Sequence, residues 1–396
     1  FNDNSVICFM IQRFIFLLIF CASLPLHAQT YRYLLLFKDK SSNTYSLNNP
    51  SAFLSSKSLE RRRKNRVAVT SQDLPVSTAY LDQVKATGAR ILFPLKWING
   101  ALIEQIPSEL KKTLALSSVK GLYWNFPADS SSAKQIQSGT LSNSSSPDYG
   151  NAIMQISQLG VDQMHAMGIH GEGTLITLLD DGFKQANSAS FLLNTFSEKR
   201  IIATLATDPT ISSVFEIGGH GTNVLSAIAG YEPGKLIGTA YKASFALAQT
   251  EESGHELIVE EANWLRGAEW ADSLGTDIIS SSLGYSTFDN PLHNHAYSDM
   301  NGKTTLVSKA AAWAASKGIL CTISAGNEGA NAWKYITAPA DADSILTVGS
   351  VNALGGLSPF SSVGPSSDSR IKPDVMAMGS NTVVGFSDGS IGISSG

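Results

Sequence analysis

Cysteine is scarce in this sequence, and long apolar runs are absent. Only 3 of the 396 residues are cysteine, and Cys8 and Cys21 both lie in the first 28 residues. An exported chain that loses those residues would keep Cys321 alone, which excludes an internal disulfide. Cys321 lies in an apolar run, where we predict a buried, unreactive thiol. A charged content of only 16%, with 43% hydrophobic residues, is typical of a packed globular protein.

The N-terminal segment has the pattern of an export signal. Met10-Ile11-Gln12-Arg13 is followed by an apolar run of about 13 residues, 14–26, and then by the small residue Ala28. This run is shorter than the roughly 20 residues of a membrane-spanning helix. We therefore predict a signal peptide over residues 10–28, a secreted or extracytoplasmic protein, and no stable membrane anchor.

Each half of the chain carries an excess of one charge. Residues 29–150 contain 16 Lys and Arg against 8 Asp and Glu, and residues 151–396 contain 12 against 24. Opposite net charges favour docking of one part on the other, although drift of surface composition would give the same numbers. The basic run Arg61-Arg62-Arg63-Lys64-Asn65-Arg66 is interpreted as a solvated helix face, so no nucleic-acid partner is expected.

The hydrophobic pattern changes along the chain. Residues 29–126 mix strand-like runs with helical spacing, which predicts a small α+β domain. Residues 127–150 are rich in serine and poor in apolar residues, which predicts an exposed linker. From 151 to 396, short apolar runs alternate with helical stretches that end in glycine. This order predicts an α/β domain with a doubly wound, mainly parallel sheet and helices on both faces.

Polar side chains follow three of the predicted strands. Asp180, Ser282 and Asn327 each stand at the carboxyl end of an apolar run, and in a doubly wound sheet these ends meet at one crevice. Asp180 needs a partner, because an unpaired buried carboxylate is costly. His220, flanked by glycines at the start of a predicted helix, is the candidate. A carboxylate can hold a histidine in the tautomer that accepts a proton from a serine hydroxyl.

From residue 149 onward the sequence resembles the subtilisin-type (subtilase) serine endopeptidases. Six motifs follow the order of that family: Leu179-Asp180-Asp181-Gly182, Gly219-His220-Gly221-Thr222, Ser282-Leu283-Gly284, Ser324-Ala325-Gly326-Asn327, Phe360-Ser361-Ser362-Val363-Gly364 and Lys372-Pro373-Asp374-Val375. The resemblance implies that Asp180 orients His220, that His220 is the general acid and base, and that the Asn327 amide donates to the oxyanion. It also implies that a protein or peptide substrate binds at Ser282, Leu283, Gly284, Ala325 and Gly326, with residues 282–284 pairing to it as an added strand.

The family places its nucleophile in a Gly-Thr-Ser motif, and Gly396 fits the first position of that motif. We therefore expect the serine to follow residue 396, the catalytic domain at 151–396 to be incomplete, and the 396-residue chain to be inactive. Residues 29–126 resemble the propeptide of the family, which implies an intramolecular inhibitor. No cofactor or metal is expected to be required, and no calcium-binding loop stands out.

Two alternatives belong to other classes of protein. The first is a non-catalytic, peptide-binding relative of the subtilases whose next segment lacks the serine. The second is an esterase of the α/β-hydrolase type that uses Ser387, but no helical stretch and no histidine follows that residue. His293 and His295 are interpreted as part of an exposed loop, since nothing supplies further ligands at the spacing of a metal site.

Overall fold

The computed structural model describes residues 29–128 and 149–396. The predicted signal peptide, residues 10–28, lies outside the described residues, and so do residues 129–148 of the predicted linker. The elements of the first part are β1 (Tyr31–Phe37), α1 (Ser56–Lys64), α2 (Thr78–Ala86), β2 (Arg90–Leu95), β3 (Gly100–Gln105), α3 (Leu110–Leu114) and β4 (Val119–Leu122). The strands form an antiparallel sheet in the order β2-β3-β1-β4.

Both faces of this four-stranded sheet are apolar. Tyr33, Leu35 and Phe37 of β1 face the core that the sheet shares with α2. Leu34 and Leu102 face the opposite side and belong to the core of the second part of the chain. Because successive side chains of a strand point to opposite faces, the apolar run of β1 supplies both cores. The α+β fold predicted for this region is confirmed, and its second apolar face requires a partner.

Residues 149–396 are built on a parallel sheet. Their strands are β5 (Leu175–Asp180), β6 (Ile201–Ala206), β7 (Tyr231–Glu232), β8 (Leu236–Ile237), β9 (Ser244–Gln249), β10 (Ile278–Ser281), β11 (Leu320–Ser324), β12 (Leu346–Val351), β13 (Val375–Met378), β14 (Thr382–Gly385) and β15 (Ile391–Ser394). Their helices are α4 (Ile153–Ser157), α5 (Val161–Ala166), α6 (Leu193–Ser197), α7 (His220–Ala229), α8 (Val259–Leu274) and α9 (Leu306–Ser316). Seven strands form one sheet in the order β13-β12-β11-β10-β5-β9-β6, while β7-β8 and β14-β15 are antiparallel ribbons.

The centre of the large sheet is the point at which the chain changes sides. β9 and β6 lie on one side of β5, and β10 to β13 lie on the other. Loops that leave adjacent strands at such a switch point diverge and open a crevice. Asp180 ends β5, Ser282 directly follows β10, and Asn327 comes shortly after β11. The predicted doubly wound α/β fold is therefore confirmed, and the sheet brings the three predicted polar residues to one edge.

Local contacts set the ends of two helices. The first residue of α7 is His220, because a neighbouring carboxylate accepts from the first amides of this helix. α3 is limited to Leu110–Leu114, since the residues after Pro107 form turns.

Cys321 is 1% exposed within β11, so its predicted burial is confirmed, and this burial raises the pKa of its thiol to about 12. None of the helices in the described part of the chain is long and apolar enough to cross a membrane.

The second apolar face of the small sheet packs on the large domain. Leu34, Leu95 and Trp97 share a buried cluster with Trp264 of α8 and Val307 of α9. Burying one such side chain contributes about 1.5–3 kcal/mol, so apolar area is the main stabilising term of this contact. Docking of the two parts was expected from their opposite net charges alone. The apolar contact could not be predicted, because the residues on both faces of β1 have the pattern of ordinary core residues.

A buried ion cluster joins the same two parts. Arg61 and Arg62 of α1, which are 5% and 1% exposed, both bind Asp272 of α8, with Arg62 Nη2 lying 2.8 Å from Asp272 Oδ2. Arg62 also contacts Asp73 at 3.0 Å, and Asp73 is paired with Lys317 of the large domain at 3.2 Å. The cluster therefore crosses the interface twice, through Asp272 and through Lys317.

The interpretation of the basic run as a solvated helix face is wrong for Arg61 and Arg62. Arg63 is exposed and pairs with Glu60 along the helix, as predicted for a surface helix. Arg61 and Arg62 are buried because the packing of the small sheet on α8 presses this side of α1 against Asp272. The opposite charges of the two parts thus meet in buried ion pairs at Asp272, and also in an exposed pair between Lys57 and Asp277 at 2.7 Å.

We predict that Asp272→Ala lowers the free energy of unfolding by about 3–5 kcal/mol, because it leaves two guanidinium groups buried without their carboxylate. Urea unfolding of the chain followed by tryptophan fluorescence would measure the change. Glu60→Ala, which removes an exposed pair on the same helix, serves as the control and should leave the midpoint unchanged. Equal effects of the two substitutions would contradict the assignment of Asp272 as the centre of the cluster.

Candidate active site

Asp180 and His220 form the pair that the sequence predicts. Asp180 is 1% exposed at the end of β5, and its Oδ1 lies 2.7 Å from Nδ1 of His220, the first residue of α7. The His220 side chain is half exposed. A hydrogen bond at Nδ1 leaves Nε2 as the ring nitrogen available for proton transfer. Within residues 29–128 and 149–396, no serine hydroxyl is hydrogen-bonded to His220.

Close backbone contacts set the position of the pair. A Cβ placed on Gly182 would lie 2.1 Å from the Ile217 carbonyl oxygen, and one on Gly221 would lie 2.2 Å from the Gly182 carbonyl oxygen. Gly182 also has φ +140°, a backbone conformation that residues other than glycine rarely adopt. The loop after β5 and the start of α7 therefore meet backbone to backbone, and only glycine allows them to come so close.

A second carboxylate holds the start of α7. Asp181 Oδ1 accepts a hydrogen bond from the Gly221 amide at 3.0 Å, and Oδ2 accepts from the His220 amide at 3.4 Å. Burial, together with the charge of Asp180, raises the pKa of Asp181 to about 6. Negative charge is favourable near a helix N-terminus, where amides lack partners. Asp181 lies within one of the six motifs, but no role was predicted for it. Its position directly after Asp180 was the available signal that it belongs to the site.

The charge of Asp180 raises the pKa of His220 from 6.5 to about 9, against the lowering effect of burial. The hydrogen bond to Asp180 and the charges of Asp181 and Glu251 act in the same direction. Glu251 was not singled out from the sequence. Its own pKa is raised to about 8 by burial, and it accepts a hydrogen bond from Tyr285 at 2.7 Å. The imidazolium form of His220 is therefore strongly stabilised in this site.

Asn327 lies on the same pocket as His220. The pocket encloses about 420 Å³, and its wall includes His220, Ser282, Asn327 and Gly396. A Cβ placed on Gly396 would lie 4.0 Å from Asn327 Nδ2, so Gly396 stands beside the amide that is predicted to donate to an oxyanion. Three separate predicted motifs and Gly396 thus meet at one cavity.

The predicted substrate-binding residues occupy two neighbouring segments. Ser282, Ala325 and Gly326 line the pocket, whereas Leu283 and Gly284 lie outside its wall. Leu283 packs against the main core, and Gly284 is exposed. An exposed backbone at Gly284 is compatible with pairing to an extended peptide, but that pairing remains a prediction.

The residues of the alternative interpretations do not assemble a second site. Ser387 lies in the turn between β14 and β15, and its Oγ would be 3.4 Å from a Cβ on Gly219, so it stands near His220 without a hydrogen bond to it. The expected exposure is wrong for His293, which is 6% exposed, and the His295 side chain is partly buried, with Nε2 2.5 Å from Glu261 Oε1. The contact with the Glu261 carboxylate accounts for the partial burial of His295.

The atoms around His220 are close enough for a metal ion, but most of them already have hydrogen-bond partners. Asp180, Asp181 and His220 each offer one ligand atom, and these atoms lie within 4.8 Å of one another. His220 Nδ1 is bonded to Asp180, and both Asp181 oxygens accept from backbone amides. The arrangement fits a hydrogen-bonded acid–base pair, and the expectation that no metal is required stays a prediction.

Two known protein families match parts of this sequence. The sequence profile of the Subtilase family matches residues 171–395, more than half of the chain, and includes Asp180, His220 and Asn327. The chain belongs to the Subtilase family. A second profile, the Peptidase S8 propeptide domain of Bacteroidota, matches residues 32–140. The recognition of a subtilase with an N-terminal propeptide region, made from six short motifs, is confirmed.

Several bacterial relatives align with this subtilase over both regions. Subtilisin NAT of Bacillus subtilis subsp. natto and Subtilisin E of Bacillus subtilis (strain 168) are each 27% identical to it over 306 residues, which cover 75% of this chain and 66% of the relative. Minor extracellular protease Vpr of Bacillus subtilis (strain 168) is 25% identical over 253 residues, or 61% of this chain and 28% of the relative. The chain thus spans just under two thirds of the two subtilisins.

We predict that Asp180→Asn lowers the pKa of His220 from about 9, because the largest cause of its increase is removed while the opposing effect of burial remains. The titration of the His220 ring, followed by NMR of ¹³C-labelled histidine, measures this pKa. Since the folded-state pKa is raised, the pair should stabilise the fold fully below about pH 6.5, and this stabilisation should be lost as the pH rises through 9. Asp181→Asn is the matched comparison and should cause a smaller fall; an unchanged pKa in Asp180→Asn would contradict the assignment.

Proposed function

We propose that this subtilase is a secreted serine endopeptidase that hydrolyses peptide bonds of proteins or peptides through an acyl-enzyme. The observation that carries the proposal is the meeting of the Asp180–His220 hydrogen bond, at 2.7 Å, with Asn327 on one pocket wall. The subtilisins that align with the chain support the same class of activity. Export is supported by the predicted signal peptide at 10–28 and by the extracellular protease among the relatives.

The proposed chemistry assigns one task to each residue. Asp180 holds the Nδ1–H of His220, so that Nε2 takes the proton from a serine hydroxyl as the serine oxygen bonds to the substrate carbonyl carbon. The Asn327 amide donates to the oxygen that becomes negative. His220 then returns the proton to the amine that leaves, and water repeats the sequence to release the acid. Removing an oxyanion donor of this kind from subtilisin lowers turnover about 10²- to 10³-fold.

We propose that the nucleophilic serine is supplied by the residues that follow Gly396. The family motif Gly-Thr-Ser supports this, as does the position of Gly396 beside Asn327 on the pocket wall. A serine two residues further along the chain could reach the space between Asn327 and His220. The pocket wall includes apolar residues of α7 and β14, such as Val224 and Val384. A helix that follows the serine would cover these residues.

The test of this function compares the 396-residue chain with the same chain extended by the residues that follow it in the gene. We expect no labelling of the shorter chain by a fluorophosphonate probe, because a triad acts as a unit and loses nearly all turnover without its nucleophile. The extended chain should be labelled and should cleave a casein-derived peptide pool. His220→Ala in the extended chain should abolish cleavage while leaving the circular dichroism spectrum unchanged.

Two results would decide against the proposal. Labelling of the shorter chain would move the nucleophile to Ser387, Ser394 or Ser395. An extended chain that binds peptides but is neither labelled nor active would favour the alternative, a non-catalytic subtilase-like peptide-binding protein.

We also propose that the N-terminal region acts as an intramolecular inhibitor. The propeptide profile over residues 32–140 supports this role, and the buried contacts of Arg61 and Arg62 with Asp272 show that the region has a fitted docking surface. None of the described residues of this region, 29–128, is part of the pocket wall. The described part docks on α8 and α9, outside the pocket wall.

We predict that residues 29–150, added in trans to an extended enzyme that lacks them, inhibit cleavage at micromolar concentration. High salt should weaken this inhibition only modestly, because the ion pairs are buried and screening acts mainly on exposed charges. A segment carrying Arg62→Ala should inhibit less well, whereas Arg63→Ala, at an exposed position, should not. Cleavage rates across a salt series measure both effects, and no inhibition by the unaltered segment would refute the role.

A further inference from the structure

The ribbon formed by β14 and β15 leads the chain into the candidate active site. β15 ends at Ser394, and two residues later Gly396 lies on the pocket wall. Thr382 and Val384 of β14 line the same pocket. The ribbon is not part of the seven-stranded sheet. Its position relative to His220 must therefore be fixed by contacts other than pairing with that sheet.

Gln155 of α4 binds the outer edge of β14. It is 8% exposed; its Oε1 accepts a hydrogen bond from the Val383 amide at 2.7 Å, and its Nε2 donates to the Val383 carbonyl at 3.0 Å. A strand of a two-stranded ribbon pairs along one edge only, and the backbone groups of its other edge need partners. The side-chain amide of Gln155 therefore takes the place of a residue from an additional strand.

The same edge of β14 is joined to the helix that carries His220. Ser226 of α7 is fully buried, and its Oγ accepts a hydrogen bond from the Gly385 amide at 2.7 Å. Because alternate residues of a strand direct their backbone groups to the same edge, Val383 and Gly385 are neighbouring attachment points. Gln155 and Ser226 thus hold one edge of the ribbon from two different helices.

The segment that carries Gln155 is itself fixed in place. A Cβ placed on Gly150 would lie 2.5 Å from the Gly234 carbonyl oxygen, and Gly150 has φ +55°. Ala152 is fully buried in a cluster that includes Leu236 of β8. These close contacts leave the segment little freedom to move with the ribbon. Gln155 therefore holds the ribbon from a rigid support.

Resting on the proposed endopeptidase function, we propose that Gln155 and Ser226 are positioning residues. They align the ribbon with α7, so that the nucleophile proposed to follow Gly396 lies within reach of His220. Neither of the two side chains belongs to the pocket wall, so both act through the backbone of β14. A misplacement of reacting groups by about 1 Å can lower a rate about 100-fold. Loss of the alignment should therefore slow the reaction of bound substrate more than it weakens binding.

The test compares variants of the extended chain, each produced with its own N-terminal region and allowed to mature. Gln155→Met removes both hydrogen bonds to Val383 and keeps an unbranched side chain of similar length. We expect kcat for a peptide substrate to fall at least about tenfold while KM changes less than about twofold, with kcat referred to titrated active sites. Labelling by a fluorophosphonate should slow in parallel. Ser226→Ala should change kcat and labelling in the same way.

Gln158→Met is the matched control. Gln158 directly follows α4 at an exposed position, and its Nε2 donates to the Asn352 carbonyl at 3.1 Å. The substitution thus removes a comparable hydrogen bond to backbone that does not reach the ribbon, and kcat and the labelling rate should stay unchanged.

Two results would overturn the inference. One is a folded Gln155→Met enzyme whose kcat per active site and labelling rate equal those of the unaltered enzyme, even if its thermal stability is lower. If Gln155→Met does not fold, normal values in Ser226→Ala have the same meaning. Failure of the endopeptidase function would look different, since then the unaltered extended chain would neither cleave the peptide nor be labelled.

Discussion

The contact between Asp180 and His220 constrains everything else in the candidate site. A carboxylate that is 1% exposed must have a partner nearby, and the partner here comes from a different element, the first residue of α7. Bringing the two within 2.7 Å requires the loop after β5 to touch the start of α7. Gly182 and Gly221 make that approach possible, and Asp181 fastens it by accepting from the first amides of the helix. Backbone packing thus places the acid–base pair. The pKa of His220 is high because the same packing brings the carboxylates of Asp180 and Asp181 close to its ring.

The N-terminal region is attached by a combination of apolar and ionic contacts that has a clear order of importance. Leu34 and Trp97 extend the core of the large domain, so that area removed from water stabilises the contact. The buried arginines add orientation more than net energy, because desolvation of an ion pair offsets much of its attraction. Arg61 and Arg62 must both meet Asp272, and a shifted docking would leave them buried without a carboxylate. The ion cluster therefore selects one arrangement among several that apolar contact alone would allow.

The sequence predicted most of the fold and the chemical centre of the site, and physical reasons explain what it did not predict. Asp180 and Asn327 were predictable because each comes after an apolar strand, and His220 because it stands between glycines at the start of a predicted helix. All three also lie in short motifs. The burial of Arg61 and Arg62 was not, since charges on a helix look the same whether they face water or a partner across an interface. His295 was assigned to an exposed loop for the same reason, because its partner Glu261 lies 34 residues away in the sequence.

Two kinds of position meet in the crevice. The groups of the proposed chemistry are placed by the carboxyl ends of strands in the middle of the sheet, where position follows from topology and is difficult to change. The segment from Ile336 to Ala338 belongs to the connection between β11 and β12, and backbone hydrogen bonds to Ala325 and Tyr285 hold it beside the crevice. A substitution in this segment would alter the space beside Gly284 and Gly326 without touching Asp180 or His220. The fold therefore separates the residues of the proposed chemistry from residues that shape the neighbouring surface.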